Sequence, residues 1–268
     1  MKAIIVSGID PAGMNIRQRL IEHGFKETEL EFDGQKVFEY KGTKLYTIQK
    51  RSIHCDNIDR EIDADTIIFA TTHRSSSGTH SLSVHVPGNY GNAELGGKDR
   101  QICTVPASLI RLLFLELQKQ GEGLGYEITL ETTHHGPFIE KPCVFIEIGS
   151  SEEQWKDEKA GMAIAKTLME TVGKEDIFPS VIVFGGGHYN QVANKILQRT
   201  KYSVGHICPK YALGELDEEM LDQMIERSVE KVELAVLDWK GLGEHKQKVK
   251  ELLEKKGIKC ERWDKISE

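Results

Sequence analysis

The stretch Ser180-Val181-Ile182-Val183-Phe184-Gly185-Gly186-Gly187-His188-Tyr189 runs from an unbroken apolar segment through three glycines to Asn190, where a helical segment reaching Arg199 begins. A short apolar run bounded by a turn signal reads as a buried strand, so the order here is strand 180–184, glycine turn, helix 190–199. The same alternation continues outward as strand 202–207, helix 217–229, strand 232–237 and helix 243–255. Towards the N-terminus lie strand 126–132, strand 143–148 and helix 151–171, the last opening on a capping-box pattern, Ser151-Glu152-Glu153-Gln154. Strands that alternate with helices predict a mixed, largely parallel sheet covered on both faces, a three-layer α/β/α sandwich.

The first half is compatible with this class. Ala3-Ile4-Ile5-Val6 reads as a strand, Gly8 and Pro11 as a loop, and Ile16, Leu20 and Ile21 as one face of a helix stopped at Gly24. Val37–Tyr40 and Leu45–Ile48 flank Lys41-Gly42-Thr43-Lys44 and predict a hairpin in which Gly42 supplies positive φ. Thr66–Ala70 is a further buried strand. Leu82-Ser83-Val84-His85-Val86 alternates and predicts a strand with one polar face. The helix expected over 107–119 is apolar on several sides and so belongs between layers. No linker, repeat or low-complexity block interrupts the chain, which predicts one domain over 1–268.

The 268 residues are 39% hydrophobic and 29% charged, with a net charge of −7, an ordinary globular composition that excludes disordered and fibrous classes. No apolar run approaches the roughly 20 residues of a membrane helix, and no export signal is evident. The five cysteines are odd in number and never spaced as Cys-x-x-Cys, which fits a reducing cytoplasm rather than a disulfide framework or zinc finger. The acidic balance argues against a protein that coats DNA or RNA by bulk charge, but leaves room for a local grip on one end of a nucleic acid.

Chemistry gathers where the histidines do. Seven of the ten, His73, His80, His85, His134, His135, His188 and His206, fall between residues 73 and 206, mostly at predicted strand ends. Ligands of open α/β sheets bind there. Glu131-Thr132-Thr133-His134-His135-Gly136-Pro137 combines a carboxylate with two imidazoles, the usual ligand types of catalytic zinc. Adjacent side chains of a regular strand point to opposite faces, so His134 and His135 are not expected to share one ion. Arg74-Ser75-Ser76-Ser77-Gly78-Thr79 is rich in hydroxyl and backbone donors, suited to a phosphate or carbonyl oxygen. The glycine turn at 185–187 offers close approach and free N–H groups for an anion. Neither it nor Gly8 to Gly13 matches a dinucleotide or Walker pattern, and no Gly-x-Ser-x-Gly elbow is present, which removes the kinase, NAD-enzyme and serine-hydrolase readings. Lys210, beyond the strand carrying His206 and Cys208, suits a phosphate contact.

The blocks Thr71-Thr72-His73-Arg74-Ser75-Ser76-Ser77-Gly78, Leu82-Ser83-Val84-His85-Val86-Pro87-Gly88-Asn89, Glu131 to Pro137, Phe184 to Tyr189 and Gly205-His206-Ile207-Cys208-Pro209-Lys210-Tyr211-Ala212 occur in that order. Together they resemble the archaeal and plant type of D-aminoacyl-tRNA deacylase. The resemblance implies hydrolysis of the ester joining a D-amino acid to the terminal ribose of tRNA, dependence on zinc, and a fold similar to peptidyl-tRNA hydrolase and nucleoside phosphorylases. By residue type and position, His80, His134 and His188 are the expected metal ligands, Glu131 a further ligand or the general base, and His135 or His206 the group that orients water or protonates the leaving ribose oxygen. Arg74, Ser76, Gly186, Gly187 and Lys210 are the expected contacts to the acceptor end. A cytoplasmic monomer acting on aminoacyl-tRNA, with no membrane or DNA partner, is the resulting expectation. The competing readings are a zinc amidase or peptidase for small molecules and a catalytically silent tRNA- or nucleotide-binding protein.

Overall fold

Ala3, Ile4, Ile5 and Val6 have no exposed surface, and the strand they form, β1 (Lys2–Ser7), lies inside an eight-stranded sheet. The computed structural model describes residues 1–76 and 78–266. In spatial order the sheet is β2 (Lys26–Phe32), β3 (Gln35–Tyr40), β4 (Thr43–Ile48), β1, β5 (Thr66–Thr72), β8 (Cys143–Gly149), β6 (Ser81–His85) and β7 (Glu127–Leu130). Three helices, α1 (Pro11–Glu22), α4 (Glu158–Thr171) and α2 (Ala107–Gln120), pack side by side, α1 on β1 and β5, α4 on β8, α2 on β6 and β7.

A second sheet, β10 (Ser203–Cys208), β9 (Ser180–Phe184), β11 (Val232–Leu237) and β12 (Cys260–Arg262), is parallel throughout. Its side chains alternate between two cores, as a pleat of period two requires. Val181, Val183, Val204, Leu234 and Val236 belong to the main core, whereas Ile182, Phe184, Cys208, Ala235 and Leu237 pack in a second core. That second core is completed by Leu221 and Met224 of α6 (Glu218–Glu226) and by Val249 and Leu253 of α7 (Lys246–Lys255). Helix α2 touches both sheets and also α5 (Gln191–Arg199), which explains why it is apolar on more than one side. Seven of the ten strand pairings are parallel; the exceptions are β2–β3, β3–β4 and β6–β8. The α/β class and the largely parallel pairing are as expected, with the strands divided between two sheets.

The hairpin closes with Lys41 at φ 48° and Gly42 at φ 78°, both left-handed, the geometry that twists with its strands. The helix expected over 151–171 is broken into α3 (Glu152–Trp155) and α4. Asn15 of α1 donates to the carbonyls of Trp155 and Asp157 (3.0 and 2.8 Å), and Asp157 starts a new helix by accepting from Lys159 N. The capping box is not formed: Ser151 Oγ donates to Gln154 Oε1 instead. Helix α6 ends short of the expected residue 229 because Val105 pairs with Arg227 O and with Val229 N. The strand β2, which the sequence did not single out, leaves most of its residues exposed at a sheet edge and so carries no apolar signal. No helix among the described residues is long and apolar enough to cross a membrane.

Candidate active site

The register of the large sheet gathers its polar residues on one face. Glu147 of β8 stands opposite Thr71 of β5 and Ser83 of β6, and Ser83 opposite Thr129 of β7. Residues two apart share a face, so His73, His85 and Glu131, which follow Thr71, Ser83 and Thr129, join the same side. All five residues of β6 are buried, so its polar alternation marks an interior face rather than a solvated one. Glu131 also lies beside Tyr189 through an isolated bridge, and Asn190 N donates to Leu130 O, which brings the glycine-turn segment across the end of β7. Asn194 of α5 holds that end from a second direction, accepting from Leu130 N and donating to Thr129 Oγ1.

Two carboxylates and five imidazoles result. Glu131 Oε2 lies 3.0 Å from His188 Nε2 and 3.4 Å from His134 Nε2, and its Oε1 lies 3.1 Å from His73 Nδ1. Glu147 Oε2 lies 3.4 Å from His73 Nδ1 and 3.6 Å from His85 Nε2. The rings of His85, His134 and His135 contact one another, with centroids 4.3 to 4.8 Å apart. Each of these three turns its Nδ1 to a backbone carbonyl: His85 to Val86 O (3.2 Å), His134 to Thr132 O (2.7 Å), His135 to Gly136 O (2.6 Å). Donation from Nδ1 fixes the tautomer and leaves the Nε2 lone pair for another partner.

Electrostatics divide the cluster. Burial would push His73 down, but the Glu131 and Glu147 carboxylates outweigh it and hold it at about 10. Burial raises the Glu131 carboxyl, and the contacts with His188 and His73 override that and hold it well below the usual range. Burial, reinforced by the charge on His85, pushes His134 well down and His135 to about 4. Burial would lower His85, but Glu147 outweighs it and raises it, so His85 sheds that proton on joining a metal, since neutral imidazole is the form that binds one.

Three sets of side chains place one ligand atom each within 4.8 Å of the others: His85–His134–His135, His73–Glu131–His188 and His85–Glu131–Glu147. Both Glu131 oxygens, Glu147 Oε2 and His85 Nε2 are buried with no well-aligned hydrogen-bond partner among the described residues. Buried polar atoms left in this state call for a partner such as an ion. Nitrogen and carboxylate donors of this kind fit zinc.

The sequence-derived candidates separate accordingly. Glu131, His134, His135 and His188 come together. His134 and His135 share a ligand set after all, because β7 ends at Leu130 and His135 takes a left-handed φ of 44°, so the rule for regular strands does not apply to them. His80 does not join: it is exposed, with its Nε2 3.1 Å from Gln154 Nε2. His206 is fully buried with both nitrogens engaged, Nδ1 near Thr133 Oγ1 and Nε2 near Arg227 O, and burial lowers it to about 4, so it supports the 133–135 segment and is not in reach of a substrate. Gly185 and Gly186 have φ of 97° and 83°; Gly185 presses against the Gly241–Leu242 backbone and Gly186 against the side chain of Asn190, whose Oδ1 already caps α5. Gly187 faces open space beside His188. Lys210 is exposed and tied to the turn through its N–H to Gly186 O. Arg74 and Ser76 lie on the exposed loop after β5, and Ser77 of that loop lies outside the described residues.

The sequence reading assigned no role to His73, His85, Glu147 or Tyr189. A lone carboxylate inside the apolar run Val144-Phe145-Ile146-Glu147-Ile148 was a usable signal, since an isolated buried charge needs a partner. Tyr189 OH stands 3.0 Å from His73 Nε2 and 3.1 Å from Ser81 Oγ, extending the network away from Glu131.

A cavity of about 540 Å³ opens on the cluster between Asn89, Glu94, His134, His135, Tyr211 and Glu215. Tyr211 OH lies 3.1 Å from Thr132 Oγ1 and 3.5 Å from His188 Nδ1.

Comparison with known proteins bears on what this arrangement acts upon. A family model described as D-aminoacyl-tRNA deacylase matches residues 60–261. The D-aminoacyl-tRNA deacylase of Pyrococcus furiosus is 40% identical over 267 residues, covering 96% of this chain and 98% of that protein. The protein of the same name from Thermococcus kodakarensis is 38% identical over 269 residues, with the same coverage. A crystal structure of a conserved protein of unknown function superposes with a TM-score of 0.91 at 30% identity, covering 99% of this chain and 96% of that one.

Proposed function

The chain belongs to the D-aminoacyl-tRNA deacylase family, and we propose that it hydrolyses the ester between a D-amino acid and the terminal ribose of tRNA with the aid of a zinc ion. The observation that carries the metal part is the convergence of His85, His134 and His135, one ring nitrogen of each within 4.8 Å of the others, and each with its Nδ1 anchored to a backbone carbonyl. These three residues would hold the ion. Bound there, zinc would lower the pKa of a water towards neutrality and polarise the ester carbonyl.

Glu131 is the general base: its Oε2, beside His134 and His188, accepts the proton of the attacking water. His188, 37% exposed, is the only one of the Glu131 partners that reaches well into solvent, and it returns the proton to the ribose oxygen as the C–O bond breaks. His73 bridges Glu131 and Glu147 and keeps both carboxylates ionised and oriented. The 540 Å³ cavity receives the aminoacyl group. Its Glu94 and Glu215 suit the α-ammonium, and the close backbone of Gly88 to Asn92 opposite Thr133 to His135 restricts which enantiomer presents its carbonyl to the cluster. The cytoplasm, where charged tRNA is used, is the place of action.

Hydrolysis of D-tyrosyl-tRNA and L-tyrosyl-tRNA by metal-stripped and zinc-restored protein tests the reading. Selective release of D-tyrosine that returns only with zinc supports it. Activity unaffected by stripping removes the metal role, and absence of D-ester cleavage under both conditions removes the substrate.

A further inference from the structure

The carboxyl ends of β1 and β5 open onto a separate cavity of about 440 Å³, walled by Asp10, Arg51, Ser52, Thr72, Arg74 and Trp155. Such crevices are where α/β sheets bind ligands. Its floor is rigid: the Asp10 carboxylate accepts from Gly13 N, Thr71 Oγ1, Thr72 N and Thr72 Oγ1 at 2.6 to 3.0 Å, which spreads its charge over four donors. Its rim is cationic. The Arg74 guanidinium lies 4.6 Å above the Trp155 ring, and Arg51 is exposed with no carboxylate partner among the described residues. Ser52 is 4% exposed, and its Oγ has no hydrogen-bond partner among the described residues. A buried hydroxyl in that condition is a place for a ligand atom.

This cavity and the histidine cluster are joined by a single residue. His73 turns its ring to Glu131 and its carbonyl to Trp155 Nε1 (3.0 Å), while Arg74, the next residue and about 3.8 Å further along the chain, faces the cavity. Arg74 is thus tied through the backbone to a side chain of the cluster while its own side chain serves the cavity.

We propose that this cavity is a ribonucleotide subsite for the acceptor strand of the substrate, a proposal that rests on the deacylase reading. Arg51 and Arg74 take phosphate oxygens, a base stacks on the guanidinium plane that Trp155 backs, and a ribose hydroxyl satisfies Ser52 Oγ. Each element matches a known preference: guanidinium forks for phosphate, aromatic and guanidinium planes for unpaired bases, and a buried hydroxyl for the 2′-OH that separates RNA from DNA. The aminoacyl group then extends to the opposite cavity, past Tyr211.

The test is equilibrium binding of the uncharged trinucleotide CCA, as RNA and as DNA, to the full-length zinc-restored protein, with inorganic phosphate as competitor. The expected result is saturable RNA binding, at least fivefold weaker DNA binding, and weakening of RNA binding by tenfold or more in Arg51→Glu. The slope of log affinity against log salt should also fall in magnitude by about 0.7, the value for one phosphate contact on a single strand. Ser52→Ala should bring RNA and DNA affinities together. Unchanged RNA affinity in Arg51→Glu, or displacement of RNA by equimolar phosphate, would overturn the subsite. D-tyrosyl-tRNA hydrolysis by the wild-type protein is measured alongside. If hydrolysis is present while Arg51→Glu binds normally, the subsite alone fails; if hydrolysis is absent, the deacylase reading fails.

Discussion

At the scale of single residues, the centre depends on two buried carboxylates, Glu131 and Glu147. Glu147→Gln removes the charge that His73 and His85 both face while keeping the volume, and is expected to lower the zinc content of purified protein and to reduce kcat by on the order of 10²-fold or more. Metal analysis and single-turnover hydrolysis of D-tyrosyl-tRNA check this. His80→Ala, at an exposed position whose ring meets Gln154 and Tyr126 and lies outside the cluster, should leave both quantities within twofold. His206 gives a pH prediction. Its pKa is depressed by burial to about 4, below the ordinary imidazole value of 6.5, so the unfolded state binds its proton first on acidification. The stability due to neutral His206 is complete above pH 6.5 and is lost as pH falls towards 4, at up to about 1.4 kcal/mol per pH unit. Denaturant unfolding from pH 7 to pH 4.5 should show a shallower acid decline in His206→Gln than in the wild type. What the sequence revealed at this scale was residue type. Glu131, His134 and His188 could be chosen because imidazole and carboxylate near a strand end suggest metal chemistry, but His80 could not be told from His85 without knowing which face of β6 was buried.

Elements place these residues, and α5 does so for β7. Asn194 joins α5 to the last residues of β7 through Leu130 N and Thr129 Oγ1, both in a fully buried setting. Asn194→Ala leaves the buried Leu130 N–H unpaired and takes the donor from Thr129 Oγ1, and is expected to cost about 1 to 3 kcal/mol of stability. Because Glu131 follows Leu130 directly, activity should fall further than the lost stability accounts for; urea melts set beside kcat at a temperature where the variant is folded separate the two effects. The strands with long apolar runs and the helices with helical periodicity were legible from sequence, since those signals are local. The break between α3 and α4 was not, because it depends on Asn15, which reaches in from α1. Edge strand β2 was invisible for the opposite reason, lacking a buried face to pattern it.

For the whole molecule, the division into two sheets sets the chemistry where the segments from each meet. Glu131 and the 133–135 segment come from the large sheet, and His188 from the loop that leaves β9 of the small one. A metal held by His85, His134 and His135 would stabilise the folded chain alone, by about 4 kcal/mol when free zinc exceeds its dissociation constant a thousandfold. Chelation should therefore lower the melting temperature as well as abolish hydrolysis, and added zinc should restore both, as scanning calorimetry on stripped and reloaded protein would show. An unchanged melting temperature would place the ion outside the fold's interior.

The groups that make up the centre are spread along the chain from His73 to His188, in five strands or their exits. No fragment ending before the glycine turn contains His188, and the β10 segment that braces Thr133 comes later still. A partly synthesised chain that lacks His188 is therefore expected to be inert towards charged tRNA, which hydrolysis assays on truncated chains would check. Long-range closure of this kind is slow relative to local helix formation. The moment at which ester cleavage begins in a refolding experiment thus serves as a clock for the last long-distance joining of the chain.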